Sequence, residues 1–183
     1  DAQIAAVKVL DTPIRIDYPL ANGERHYPGH HGWGSDFGRP GDSPIQALVN
    51  RLGLNTVAPA HPMPLFGTGP TAVTAYGAGF WDQWVRYFVT RDPAANSLTL
   101  DPQNPGRWAS RISELTGLQD HNRTDLSPFA ARGGKLLMAH GTADQLVSAR
   151  ATGEYFERIR KTMGAERVQG FLRYYEIPGY GHA

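Results

Sequence analysis

Apolar residues along this chain fall into blocks with different periods, and those periods predict its elements. Ile4, Val7 and Leu10 are spaced as one helix face behind Asp1, which can cap it. Residues 11–42 show no helical period and read as extended chain and turns, punctuated by Thr12-Pro13, Asn22-Gly23 and Arg39-Pro40-Gly41. Ser43-Pro44 predicts a helix entry, with a hydroxyl at the cap and proline at the first helical position, and Gly53 is its natural stop. Residues 54–78 are rich in proline and glycine and read as loop. Phe80, Trp81, Trp84, Val85 and Phe88 then recur at i, i+1, i+4, i+5 and i+8. They predict a helix whose aromatic face packs inward, with Arg86 on the solvated side. Arg107–Thr116 reads as another short helix, with Trp108, Ile112 and Leu115 inward and Gly117 ending it.

From Asp125 the pattern changes. Lys135 to His140 is a continuous apolar run between Gly133-Gly134 and Gly141, as expected of a parallel strand covered on both faces. Ser148 can cap a following helix whose inward face is Tyr155, Phe156, Ile159 and Met163, and Gly164 can stop it. Phe171–Ile177 reads as the next strand. Strand, helix and strand over this length make a βαβ unit. The class is therefore α/β, and Asp144 and His182 lie just beyond the carboxyl ends of neighbouring strands, where open α/β sheets keep their chemistry.

Composition narrows the partners. Of 183 residues, 40% are apolar and 19% charged, which is a globular balance, and the formal net charge is +1 with no basic run. Neither nucleic acid nor a membrane is expected as a partner. With no cysteine, disulfides and thiolate metal sites within these residues are excluded. The longest apolar stretches are too short to span a bilayer, and no signal peptide is visible in a chain that opens on Asp1 rather than methionine.

The chemistry centres on two residues. An acid after one strand and a histidine after the next is how α/β-hydrolases order the later members of a Ser…Asp…His triad. Asp144 in its tight loop can hold an imidazole in one tautomer, and His182 can act as base. The bland alternatives are a turn aspartate and an exposed loop histidine; their order on consecutive strands favours the triad. No G-x-S-x-G elbow occurs in the chain. His140, opening the Asp144 loop, is expected to support that loop or line the pocket floor. His30, His31 and Asp36 lack the spacing of a metal set, so no metal is expected. Gly67-Thr68-Gly69-Pro70-Thr71-Ala72 matches a dinucleotide pattern, but no strand precedes it and a proline interrupts it. Trp81 and Trp84 are candidates for contact with an aromatic substrate.

These motifs resemble those of the tannase and feruloyl esterase family. The resemblance is carried by His140-Gly-Thr-Ala-Asp144-Gln-Leu-Val-Ser148 and Ile177-Pro-Gly-Tyr-Gly-His182. Asp125-Leu-Ser-Pro-Phe129 through Arg132-Gly-Gly-Lys135, Gln3, and His26-Tyr27-Pro28-Gly29 with Gly34-Ser35-Asp36 add to it. It implies a lid-type inserted domain, loop-rich and mainly helical, over residues 1–124. Residues 125–183 would be the C-terminal part of an α/β-hydrolase sheet. By the same resemblance Asp144 is the triad acid and His182 the general base. The nucleophilic serine, the oxyanion hole and the family's lid calcium site would lie before residue 1, so no cofactor is expected in this chain. The implied activity is hydrolysis of aromatic esters of the feruloyl or galloyl kind, in a secreted or periplasmic protein. Its partners would be the small aromatic ester and the flanking segments of the same polypeptide, and the 183 residues alone would be inactive. The family usually has a cysteine after this histidine, bridged to one beside the serine; here the position is Ala183. Either the partner cysteine is lost too and packing holds the geometry, which is the favoured reading, or this member is not an active esterase. The rival reading is a non-catalytic phenolic- or carbohydrate-binding protein on a degenerate hydrolase scaffold.

Overall fold

The computed structural model describes residues 1–31, 76–144 and 146–182. The helix expected after Ser43-Pro44, most of the loop over 54–78, the Gly67–Ala72 pattern, Asp36 and Ala183 lie outside them. Among the described residues the elements run α1 (Ala2–Asp11), β1 (Ile14–Arg15), β2 (His26–Tyr27), α2 (Tyr76–Gln83), α3 (Ala109–Gln119) and α4 (Ser127–Ala131), then β3 (Leu136–Gly141), α5 (Ala149–Met163), α6 (Ala165–Gln169) and β4 (Leu172–Ile177). The chain forms two compact units. One gathers Asp1–Pro13, Tyr27–Asp36 and His121–Ala183; the other gathers Ile14–His26 and Phe37–Asp120. Thus α1 and the segment from Tyr27 group with the C-terminal βαβ region rather than with the rest of residues 1–124.

In the first unit β3 and β4 pair in parallel, Leu136 opposite Leu172 and Gly141 opposite Ile177. Their connection is α5, which begins where expected: Ser148 is its N-cap and accepts the Ala151 N–H. It ends at Gly164, whose φ of 83° is a conformation glycine adopts without steric cost. Ile159 is fully buried with Val168, Phe171 and Leu172, and Leu136, Met138, Tyr155, Phe156 and Met163 pack around them. Burying side chains of this size stabilises by about 1.5–3 kcal/mol each. Only one sheet face is covered among the described residues. Exposure alternates along β3, and Leu137 is 70% exposed. The continuous apolar run therefore belongs to a sheet half-covered here, a distinction that composition cannot make because side chains alternate between faces. Asp1 sits at the cap of α1 without a side-chain hydrogen bond, and Ile4 is exposed while Val7 and Leu10 are half-buried.

The second unit departs more from expectation. α2 starts at Tyr76, inside the stretch read as loop, and continues as a π-helix over Trp84–Val89. Its buried side chains include Asp82, Val85, Arg86 and Val89, whereas Phe80 and Phe88 are exposed. Arg86, expected in solvent, is buried: it donates to Asp82 Oδ2 at 2.8 Å and to the Pro93 carbonyl at 2.7 Å. Asp82 Oδ1 accepts the Ser97 hydroxyl at 2.7 Å, so the charge pair is held on both sides. Val89 packs with Ile112 and Leu115 of α3, flanked by Trp84 and Trp108. Gly117 does not end α3, which runs on to Gln119. A Cβ there would come 2.8 Å from that of Ala21, so this glycine permits close approach.

Candidate active site

The site is assembled where the first unit's two strands end. β3 runs into Gly141 and the loop to Ser148, and β4 into Pro178–His182. The two loops are stitched together by backbone: Thr142 N–H donates to the Ile177 carbonyl and Ala143 N–H to the Tyr180 carbonyl, each at 3.0 Å. Gly179 N–H donates to Thr142 Oγ1 at 3.1 Å. Gly141 makes the closeness possible, since a Cβ on it would lie 2.0 Å from the Tyr180 carbonyl oxygen.

The stitching brings Asp144 and His182 together: His182 Nδ1 lies 3.0 Å from Asp144 Oδ2. A carboxylate only accepts, so Nδ1 carries the hydrogen and Nε2 presents its lone pair. Nε2 has no partner among the described residues, and the His182 side chain is 38% exposed where that of Asp144 is 7%. Asp144 Oδ1 accepts the Leu146 and Val147 N–H groups at 2.9 and 3.0 Å, and Oδ2 takes a second donor, His140 Nε2, at 3.1 Å. Burial acts to raise the Asp144 pKa, but the Val147 N–H, the His182 ring and the Leu146 N–H outweigh it and leave the carboxyl below its ordinary value. The arrangement is therefore an ionised acid orienting an imidazole whose outer nitrogen can take a proton.

Residues from the N-terminal end of the chain hold the acid loop from behind. His30 Nδ1 donates to the Asp144 backbone carbonyl at 3.2 Å, and its Nε2 accepts the Tyr27 hydroxyl at 2.6 Å. Burial lowers the His30 pKa, the Asp144 carbonyl and charge opposing it, and burial followed by the Asp144 charge pushes the Tyr27 hydroxyl to about 12. The Ser148 hydroxyl donates to the Gly29 carbonyl, and Arg150 binds the Asp11 carboxylate and the carbonyls of Asp11 and Pro28. Gly29 has a φ of 72°, and a Cβ there would meet the Leu10 and Asp11 carbonyls at 2.9 Å. None of this strap was assigned a catalytic role from sequence; apart from the Tyr27–His30 bond, its hydrogen bonds join residues more than 110 positions apart, and no local spacing announces them.

The remaining candidates are placed as follows. His140 spends both ring nitrogens inside the protein, on Asp144 and on Thr152 Oγ1 at 2.7 Å. Trp81 and Trp84, in the second unit, donate their indole N–H to the Ser97 carbonyl and to Gln119 Oε1; both are half-buried, and their rings contact each other with centroids 5.6 Å apart. No group of three or more His, Cys, Asp or Glu able to hold a metal occurs among the described residues. No helix of the described residues is long and apolar enough to cross a membrane.

The family profile described as tannase and feruloyl esterase matches residues 1–183. An uncharacterized esterase of Agrobacterium fabrum is 31% identical over 176 residues, 96% of this chain and 28% of that protein. A probable feruloyl esterase B-2 of Aspergillus terreus is 38% identical over 101 residues, 54% of this chain and 19% of that one. The crystal structure of feruloyl esterase B from Aspergillus oryzae superposes on 99% of this chain and 29% of its own, with a TM-score of 0.60 at 24% identity. The chain thus spans less than a third of the length of these proteins.

Proposed function

The chain belongs to the tannase and feruloyl esterase family, among whose relatives named above are esterases, and from that premise we propose that it supplies the acid and base of a serine carboxylic ester hydrolase. The observation that carries the reading is His182, held through Nδ1 by Asp144 with Nε2 left to accept a proton. In the proposed reaction a serine from outside these 183 residues attacks the ester carbonyl carbon while its hydroxyl proton passes to His182 Nε2. As the tetrahedral adduct collapses, His182 returns that proton to the departing alkoxide and the acyl group stays on the serine. Water then gives a proton to His182 as its oxygen bonds to the acyl carbon. When this second adduct collapses, the bond to the serine oxygen breaks, His182 returns the proton to that oxygen, and the carboxylic acid leaves. Asp144 stabilises the imidazolium formed in each step.

The proposed substrates are aromatic esters of the feruloyl or galloyl kind, a class supported by the names of the relatives. Trp81 and Trp84 are the proposed ring-face contacts for the acyl group. Lid character for residues 1–124 and export from the cytoplasm belong to the same reading, which rests there on family resemblance.

The test is hydrolysis of methyl ferulate by the intact enzyme carrying this chain, by its His182→Ala and Asp144→Ala variants, and by the 183 residues alone as control. Both variants should lose roughly four orders of magnitude or more in kcat, and the control should show no turnover. Near-normal turnover by His182→Ala removes the assignment. Tight binding of the ester by an intact protein that never cleaves it favours a binding protein instead.

A further inference from the structure

His140 stands outside the triad, yet it reaches the same oxygen as the base. Asp144 Oδ2 accepts from His182 at 3.0 Å and from His140 at 3.1 Å, while Oδ1 accepts two backbone N–H groups. A carboxylate offers about four acceptor positions, so every one on Asp144 is filled, three of them from its own loop and strand end. Only the fourth bond, to His182, crosses to the other loop. The His140 tautomer is also fixed: Nε2 must carry the hydrogen to donate to Asp144, so Nδ1 accepts the Thr152 hydroxyl, 2.7 Å away on α5. The His140 side chain is 11% exposed, leaving little of it for a substrate to touch.

From this geometry we infer that His140, locked by Thr152, is a positioning residue for the proposed ester hydrolysis. It divides the charge of the acid between two imidazoles and stops the carboxylate from rotating away from His182. The inference rests on the esterase reading given above. The charged and titratable groups facing this centre are His182 from the β4 loop, His30 with Tyr27 behind the Asp144 carbonyl, and Arg150 at the start of α5, which acts on His30. None of these supplies a second donor to Oδ2. Removing His140 would leave that lone pair to water and concentrate the carboxylate's charge on His182.

His140→Phe removes the donor and keeps a ring of similar size. His140→Gln returns an N–H near the Nε2 position, and Thr152→Val removes only the hydroxyl. In the intact enzyme His140→Phe should lower kcat about 10- to 100-fold with little change in KM. It should also move the acid limb of the kcat/KM profile upward by about half a pH unit. His140→Gln should restore both, and Thr152→Val should give a smaller change in the same direction. A second readout needs no turnover: the proton resonance of the His182 Nδ1–H should move downfield in His140→Phe and return in His140→Gln. If the wild-type enzyme cleaves no ester, the esterase reading fails, and this resonance alone decides whether the two rings share the acid. An unmoved pH limb and resonance in a folded His140→Phe protein would overturn the inference and leave His140 as packing.

Discussion

Tyr27 donates its hydroxyl to His30, behind the carbonyl of Asp144, and both burial and the nearby carboxylate oppose its ionisation. Its pKa is pushed up to about 12, against about 10 for the free side chain. The folded value lies above the unfolded one, so Tyr27 contributes stability fully below about pH 10 and loses it as pH rises through 12. Tyr174, raised to about 12 by burial and by Glu176, behaves alike. Absorbance at 295 nm after a rapid pH jump should show a late ionisation step near 12, and Tyr27→Phe should shrink it. A titration unchanged by that substitution would contradict the contact. Asp144 runs the opposite way: its depressed pKa gives stability that is present above the unfolded carboxyl value and lost as pH falls through the folded one. The meeting of Asp144 with His182 was legible in the sequence because each follows a strand ended by glycine or proline. Tyr27 and His30 were not, because a bond across 114 positions leaves no mark in local spacing.

α2 and its π-helical continuation show where pattern reading fails at the level of elements. The aromatic rings at i, i+4 and i+8 suggested the buried face, but the buried side chains recur at i, i+3, i+4 and i+7 from Asp82, on the neighbouring face of the helix. Asp82, Val85, Arg86 and Val89 go inward, and a charged pair occupies the place expected for aromatic rings. Arg86 looked solvated because arginine usually is; its burial depends on Asp82 and on the Pro93 carbonyl, neither of which periodicity reveals. Asp82→Ala would remove the carboxylate that the buried guanidinium binds at 2.8 Å and cost about 3–5 kcal/mol, measurable as a lower urea midpoint. A shift within error would mean that the pair is solvated. α5 is the contrasting case. Ser148, the inward positions Tyr155, Phe156, Ile159 and Met163, and Gly164 agree with one another, and the helix forms between those signals.

At the scale of the molecule, the described part of the β3–β4 sheet is two strands wide with one apolar face open. Leu137, Tyr175 and Ile177 are 70, 54 and 41% exposed on it, and parallel strands with free edges are templates for further pairing. The 183-residue chain purified alone should therefore elute above its 20.1 kDa monomer mass in size-exclusion chromatography. Leu137→Lys should shift it towards monomer, whereas a wild-type chain that is monomeric at high concentration would show the face to be harmless. The parallel class of the sheet was readable from the βαβ pattern. Its open face was not, since an apolar run looks the same under one cover or two. The strap from Leu10 to His30 has a consequence for how the protein is made. These residues leave the ribosome more than a hundred positions before Asp144, Ser148 and Arg150, the groups they bind. At about 5–20 residues per second the nascent strap waits on the order of ten seconds for its partners, so the acid cannot settle into its place until that interval has passed.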